Sequence, residues 1–190
     1  MKNLFYLLLC LALFSCKETE NKQDSMFALE EILTSNRQFM EKIAVLKIQQ
    51  DTTTDVDKLF EIDAAMYAIN DSANITLKTV LNNKKHSLDF TQIENTDKIK
   101  IDSLTVVDVA LNTLKIEAKV TALQNSSFDM VYTTLSALDS TGKKLDIAGG
   151  IGADSKLEAG KSYIFSGEIK NIDLLKKTKT IQFDEVINKW

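Results

Sequence analysis

Apolar positions along residues 26–49 recur every third or fourth residue: Leu29, Ile32, Leu33, Phe39 or Met40, Ile43 and Leu46. That spacing puts them on one face of an α-helix. Glu30 and Glu31 fall in its early turns and Lys42 and Lys47 in its late ones, which suits the helix dipole. The polar run "DTTTD" (51–55) interrupts the stripe. Thr54 followed three residues later by Asp57 has the form of a capping box, with Asp in place of Glu. A second stripe follows in Val56, Leu59, Phe60, Ile62, Met66, Ile69, Ala73, Leu77, Val80 and Leu81. It predicts a helix closed near Asn82-Asn83, with Lys84 and Lys85 at its negative end. Two such helices joined by a short loop make an antiparallel hairpin over residues 26–85.

Near Lys98 the period shortens from 3.6 to 2. In "TLKIEAKVTAL", Leu114, Ile116, Ala118, Val120 and Ala122 alternate with Lys115, Glu117, Lys119 and Thr121. This is the pattern of an antiparallel sheet with one wet face. Further strands are expected in "KIKIDSLTVVDVA", "MVYTTLSALD", "LDIAGGI", "YIFSGEI" and "TIQFDEVI", with polar turns between them. The glycines of "LDIAGGI" predict a bulge or bend. Six or seven short strands of this kind predict a two-sheet sandwich over residues 98–190. The expected class is α+β, a helical hairpin followed by an antiparallel, immunoglobulin-like β-sandwich.

The N-terminus has neither period. Lys2 precedes an unbroken apolar run, Leu4 to Phe14, and then Ser15-Cys16 opens onto "KETENKQDS". A basic start, a short apolar run and a small residue describe a secretory signal peptide, residues 1–15. The run is shorter than the roughly 20 residues that span a bilayer. Leu13-Phe14-Ser15-Cys16 resembles a bacterial lipobox, with Phe14 where that family usually has a smaller residue. The resemblance implies that Leu13, Phe14 and Ser15 are read by the signal peptidase. It further implies that Cys16 is lipidated on sulfur and becomes the first mature residue, carrying two or three acyl chains (palmitate among them). Single chains hold only marginally, at about 0.8 kcal/mol per buried CH₂, so two or more give a stable anchor. Residues 16–25 are then the lipidated cysteine and a polar tether. Lys17, Glu18 and Glu20 resemble the lysine-plus-acid export signals that follow the lipidated cysteine in surface lipoproteins of the Bacteroidetes. The implied location is a bacterial envelope, at the outer membrane and open to surface exposure.

A second resemblance lies in the strand-rich half. "NSSFDMVYTTLSALDSTGKKL" and "KLEAGKSYIFSGEI" are similar to the FxLYD-type and related immunoglobulin-like domains of bacterial envelope proteins. Leu135, Ala137, Leu138, Asp139 and Gly142 stand at the hairpin positions, and Leu157, Gly160 and Phe165 in the later segment. Leu135 and Leu138 stand where the family has Phe and Tyr. The positions are core and turn residues, and the resemblance implies no catalytic role for them.

Composition narrows the chemistry. About 175 residues remain after residue 15, enough for a sizeable core. The net charge of −4 shows no basic patch, so nucleic acid is not an expected partner. Cys10 is discarded and Cys16 lipidated, which leaves the mature chain without a disulfide. The acids Asp51, Asp55 and Asp57 lack the glycine of a calcium loop and read as helix caps. His86, the single histidine, reads as a surface residue after a helix. Gly149, Gly150 and Gly152 are followed by a turn and a strand, not by the helix a phosphate loop needs. No catalytic residue, metal ligand or cofactor is expected. The reading that results is a non-enzymatic, membrane-anchored interaction module with an envelope or extracellular protein partner. One alternative is a carrier of a small hydrophobic ligand between helices and sheet, which needs a cavity of about 300 Å³ or more. Another is an envelope hydrolase, which would need carboxylates such as Asp89, Glu94, Asp97 and Asp102 to converge.

Overall fold

The computed structural model describes residues 20–82, 85–92 and 97–186, with only the backbone course for 20–28, 185 and 186. The signal peptide, Cys16, Lys17 and Glu18 lie outside these residues, as does the side chain of Glu20.

Among the described residues two helices come first, α1 (Glu20–Thr52) and α2 (Val56–Leu81). α1 begins inside the stretch expected to be a tether. Nothing from Glu20 to Met26 breaks a helix, since the stretch contains neither Gly nor Pro, and the helix runs through Asp24 and Ser25. The N-cap of α2 is Asp55 rather than Thr54. Its carboxylate accepts from the N–H groups of Asp57 (3.0 Å) and Lys58 (3.3 Å), two donors that the first turn leaves free. The helix ends on Asn82 in the left-handed conformation (φ 50°), with its N–H donating to the Lys78 carbonyl.

The strands are β1 (His86–Ser87), β2 (Phe90–Gln92), β3 (Ile99–Ala110), β4 (Thr113–Ala122), β5 (Val131–Leu138), β6 (Lys144–Ala153), β7 (Ser162–Lys170) and β8 (Thr180–Val186). A 3-10 turn, Ile172–Lys176, joins the last two. Together they form one curled eight-stranded sheet of order β1-β3-β4-β7-β6-β5-β8-β2. The class is α+β, as expected. The sheet is mixed, because β2 runs parallel to β8 while the other pairs are antiparallel.

Two segments turn what could have been separate sheets into one. Residues 86–92 pair first with β3 (His86 with Val106) and then with β8 (Phe90 with Ile181). The Gln92 amide then reaches β3, donating to the Ile99 carbonyl (2.8 Å) and accepting from the Ile101 N–H (3.1 Å). β6 does the same at the other side, pairing with β5 along its length and with β7 only at Gly149–Gly152. Its register slips between Gly149 and Ile147, where the glycines predicted a bulge.

The inward residues of these strands share one core with the helices. Leu104, Leu114, Ile116, Leu135, Phe165 and Phe183 meet Ile32, Leu33, Leu77 and Leu81. Phe90 sits edge-on to Phe183, at 5.9 Å between ring centres. Two asparagines fix the hairpin to the sheet. Asn74 Oδ1 accepts from the Leu111 N–H (2.8 Å), and the fully buried Asn36 accepts from the Asn112 N–H (2.6 Å). Both grip the β3–β4 turn, where Asn112 takes a positive φ of 59°. The hairpin therefore docks by residues near 29–36 and 73–81. Beyond them, among the described residues 37–72, only Ile62 is buried. Asn36 to Thr52 is about 24 Å of helix, so the hairpin stands clear of the sheet.

His86 overturns its surface reading. It is 4% exposed, because pairing with Val106 carries it onto β3 and α1 packs against β1. Among the described residues neither ring nitrogen has a hydrogen-bond partner. A buried polar group left unpaired carries its desolvation cost without return. Replacing it with a similar-sized apolar residue, His86→Leu, should therefore raise unfolding free energy by about 1 kcal/mol. Urea unfolding of the two proteins checks this, and a loss of that size would show the ring to be bonded.

Candidate binding site on the sheet

The outer face of the sheet carries an open recess of 350 Å³ where β5, β6 and β7 meet. Its walls are Met130, Tyr132 and Ile164, and its polar rim is Asp154, Ser155 and Ser166. Tyr132 pairs across the ladder with Gly152, and its ring lies over Gly150 and Gly152. A side chain on Gly150 would collide with the tyrosine hydroxyl, so the absent Cβ atoms are what let the ring lie flat on the sheet. Ile147 on β6, Ile164 on β7 and Met130, just before β5, are exposed apolar residues.

Strand pairing gives the recess a second property. Ala122 bonds Lys161 and Gly160 across β4 and β7. Hydrogen-bonding direction alternates along a strand, so Tyr163 and Phe165 address β4 while Ser162 and Ile164 address the other side. On that side β6 pairs with β7 only as far as Gly152 with Ser166. The next position would set Asp154 opposite Ile164, but the two strands part there. The backbone of Ile164 thus faces a fork lined by the recess.

Behind Tyr132 on β5 lies a polar network. Asp184 accepts from Ser136 (2.5 Å), Thr134 (3.2 Å) and Gln182 (3.0 Å), with Lys144 at 3.5 Å. Burial alone would raise the Asp184 carboxyl; the bonds from Ser136 and Gln182, the Lys144 charge and the Thr134 bond outweigh it and hold it below the usual range. A carboxylate depressed in the folded state contributes stability above its unfolded value, near 3.9, and loses it as pH falls through that range. The melting temperature should therefore drop below about pH 4, and less steeply in Asp184→Asn. Thermal melts from pH 7 to pH 3 check this; equal slopes would remove Asp184 from the acid response. The Ser136 hydroxyl is held by this carboxylate, and the single histidine pairs with β3, so the two do not form a nucleophile and base.

The other sequence candidates are dispersed. Asp102 is held by Thr121 and Lys100, whose bonds keep its carboxyl below the usual range. The Asp89 carbonyl accepts from the Ile181 N–H, and Glu94 lies outside the described residues. Among the described residues no group of three or more His, Cys, Asp or Glu side chains could hold a metal. No described helix is long and apolar enough to cross a membrane. The recess was not legible in the sequence, because Tyr132 and Ile164 are some thirty residues apart and meet only through β6. The glycines of "IAGGIG" were its one local signal. No family model matches the chain, and no curated protein is similar to it.

Proposed function

We propose that this chain is a bacterial envelope lipoprotein, anchored through lipid on Cys16, that acts as a non-enzymatic binding module with an immunoglobulin-like sheet domain. The observation that carries the reading is the recess beside Ile164, at the fork where β6–β7 pairing ends at Gly152–Ser166. Backbone groups facing such a fork offer main-chain hydrogen bonds, and adjoining apolar walls offer selectivity, which together suit an extended peptide segment. The sandwich reading is supported by the pairings β4 with β7 and β5 with β8, each joining strands three apart in the chain, as in a Greek key. It is also supported by the family-like segments meeting in space. Ala159 donates to Asn125 and Leu157 to Ser126, while Leu135, Leu157 and Phe165 are fully buried. Asp139 closes the β5–β6 turn by accepting from the N–H groups of Thr141 and Lys143.

The recess lies on the outer sheet face, away from the helix–sheet junction where a carrier would hold its ligand. Because α1 starts at Glu20, four residues after Cys16, the folded part sits close to the anchor.

Selection from a displayed library of random heptapeptides tests the binding reading. The native protein should enrich a common apolar motif that Tyr132→Ser/Ile164→Ser does not. Identical recovery by both proteins would dismiss the recess as a site.

A further inference from the structure

A different surface carries an inference independent of the recess. On α2, Val56, Phe60, Ala64, Tyr67 and Ile75 fall within about 100° of the helix circumference. All are exposed, Phe60 by 70% and Tyr67 by 76%. They form a stripe on a different face of α2 from the buried Ile62 and the half-buried Leu59, Met66 and Ile69. Two aromatic rings on successive turn-pairs of a projecting helix leave much apolar area in water, of order 150–250 Å² for each ring when buried.

From Val56 to Asp71 the rim of the stripe is acidic; past Ile75 the exposed Lys78 lies on the same face, 4.0 Å from Asp108 of β3. Asp57, Glu61, Asp63 and Asp71 lie within or beside the stripe, and Lys58, the single base between Val56 and Ser72, lies on the opposite side. Asp63 also accepts from Gln50 of α1, so its carboxylate is fixed in place. A second copy presenting the same stripe would set acid against acid. A basic partner meets the opposite case, with ion pairs at the rim and cation–π contacts on both rings. The surface is straight, about 28 Å long, and Ala64 leaves a saddle between Phe60 and Tyr67. Such a surface accepts the side-chain ridge of another helix.

We propose that this flank of α2 docks a basic amphipathic helix of a partner protein. The probe is an 18-residue helical peptide of leucines and lysines with apolar positions at three and four spacing, labelled for fluorescence anisotropy. The lipidated protein is held in zwitterionic nanodiscs, and empty discs serve as the blank. The lysine helix should bind at least about tenfold more tightly than the same helix with glutamates, a difference of about 1.4 kcal/mol. Phe60→Ser/Tyr67→Ser keeps every carboxylate and should lose about tenfold of that binding. Both side chains are at the surface, so its melting temperature should match the native protein. Equal binding by the double variant would reduce the effect to bulk charge and overturn the proposal. So would absence of binding, or a dimer in sedimentation that the double variant dissolves.

Discussion

Gly167→Ala is expected to destabilise the protein by about 3 kcal/mol, enough to remove much of the stability of a domain this size. The reason is the approach of two backbones. A Cβ at Gly167 would fall on the Gly150 carbonyl and against the Ile151 Cα. Neither is a side chain that can turn away, so β6 and β7 must separate. Their pairing at Gly149–Gly152 joins the β5 side of the sheet to the β7 side, and Ile151 and Ile169 are fully buried there. Gly150→Ala makes the control. Its Cβ would meet only the end of the Tyr132 ring, which can swing outward, so the loss should stay near 1 kcal/mol. Urea unfolding of the three proteins measures the difference. A Gly167→Ala protein as stable as Gly150→Ala would mean that the strands do not approach so closely.

Cys16→Ala is expected to abolish covalent lipid on the chain. The loss should be complete, since the lipobox resemblance rests on a single thiol. With two or three acyl chains at about 0.8 kcal/mol per buried CH₂, anchoring far exceeds what the short apolar run Leu4 to Phe14 can supply. Growth with an alkyne-bearing palmitate, followed by capture of the protein, gives the readout. The native chain and Cys10→Ala should both take up label, and Cys16→Ala should take up none. Label persisting in Cys16→Ala would overturn the lipoprotein reading, while label lost in Cys10→Ala would move the anchor to that thiol. Replacing Lys17 and Glu18 by alanine leaves the lipid in place and tests the address alone. Protection of that variant from protease added to intact cells, with native protein cleaved, would assign the export role to those two residues.

The two periods in the sequence were sufficient to identify the helices and most strands. Leu114, Ile116, Ala118, Val120 and Ala122 are inward and buried, as their alternation required. Asn82 closes α2 and the β6 glycines mark a bulge, both readable because caps and bulges depend on a few adjacent residues. The short β1 and β2 were missed. Two or three residues are too few to show a period, and they are strands only because β3 and β8 lie on either side of them. The N-cap moved from Thr54 to Asp55 for a similar reason, since both carry a capping oxygen and the helix start decides between them.

What the sequence alone determined is local: the change from helix to strand and the identity of the core-facing side chains. These follow from the 3.6 and 2 residue repeats, which act through neighbours along the chain. The tertiary structure decided which strands meet. It drew residues 86–92 across from β3 to β8, buried His86, and clamped the β3–β4 turn between Asn36 and Asn74. It also set Tyr132 across the β6 glycines, parted β6 from β7 beside Ile164, and left Phe60 and Tyr67 exposed on α2. Those features depend on closing the sheet around one shared core, and no repeat along the chain encodes how its distant segments approach.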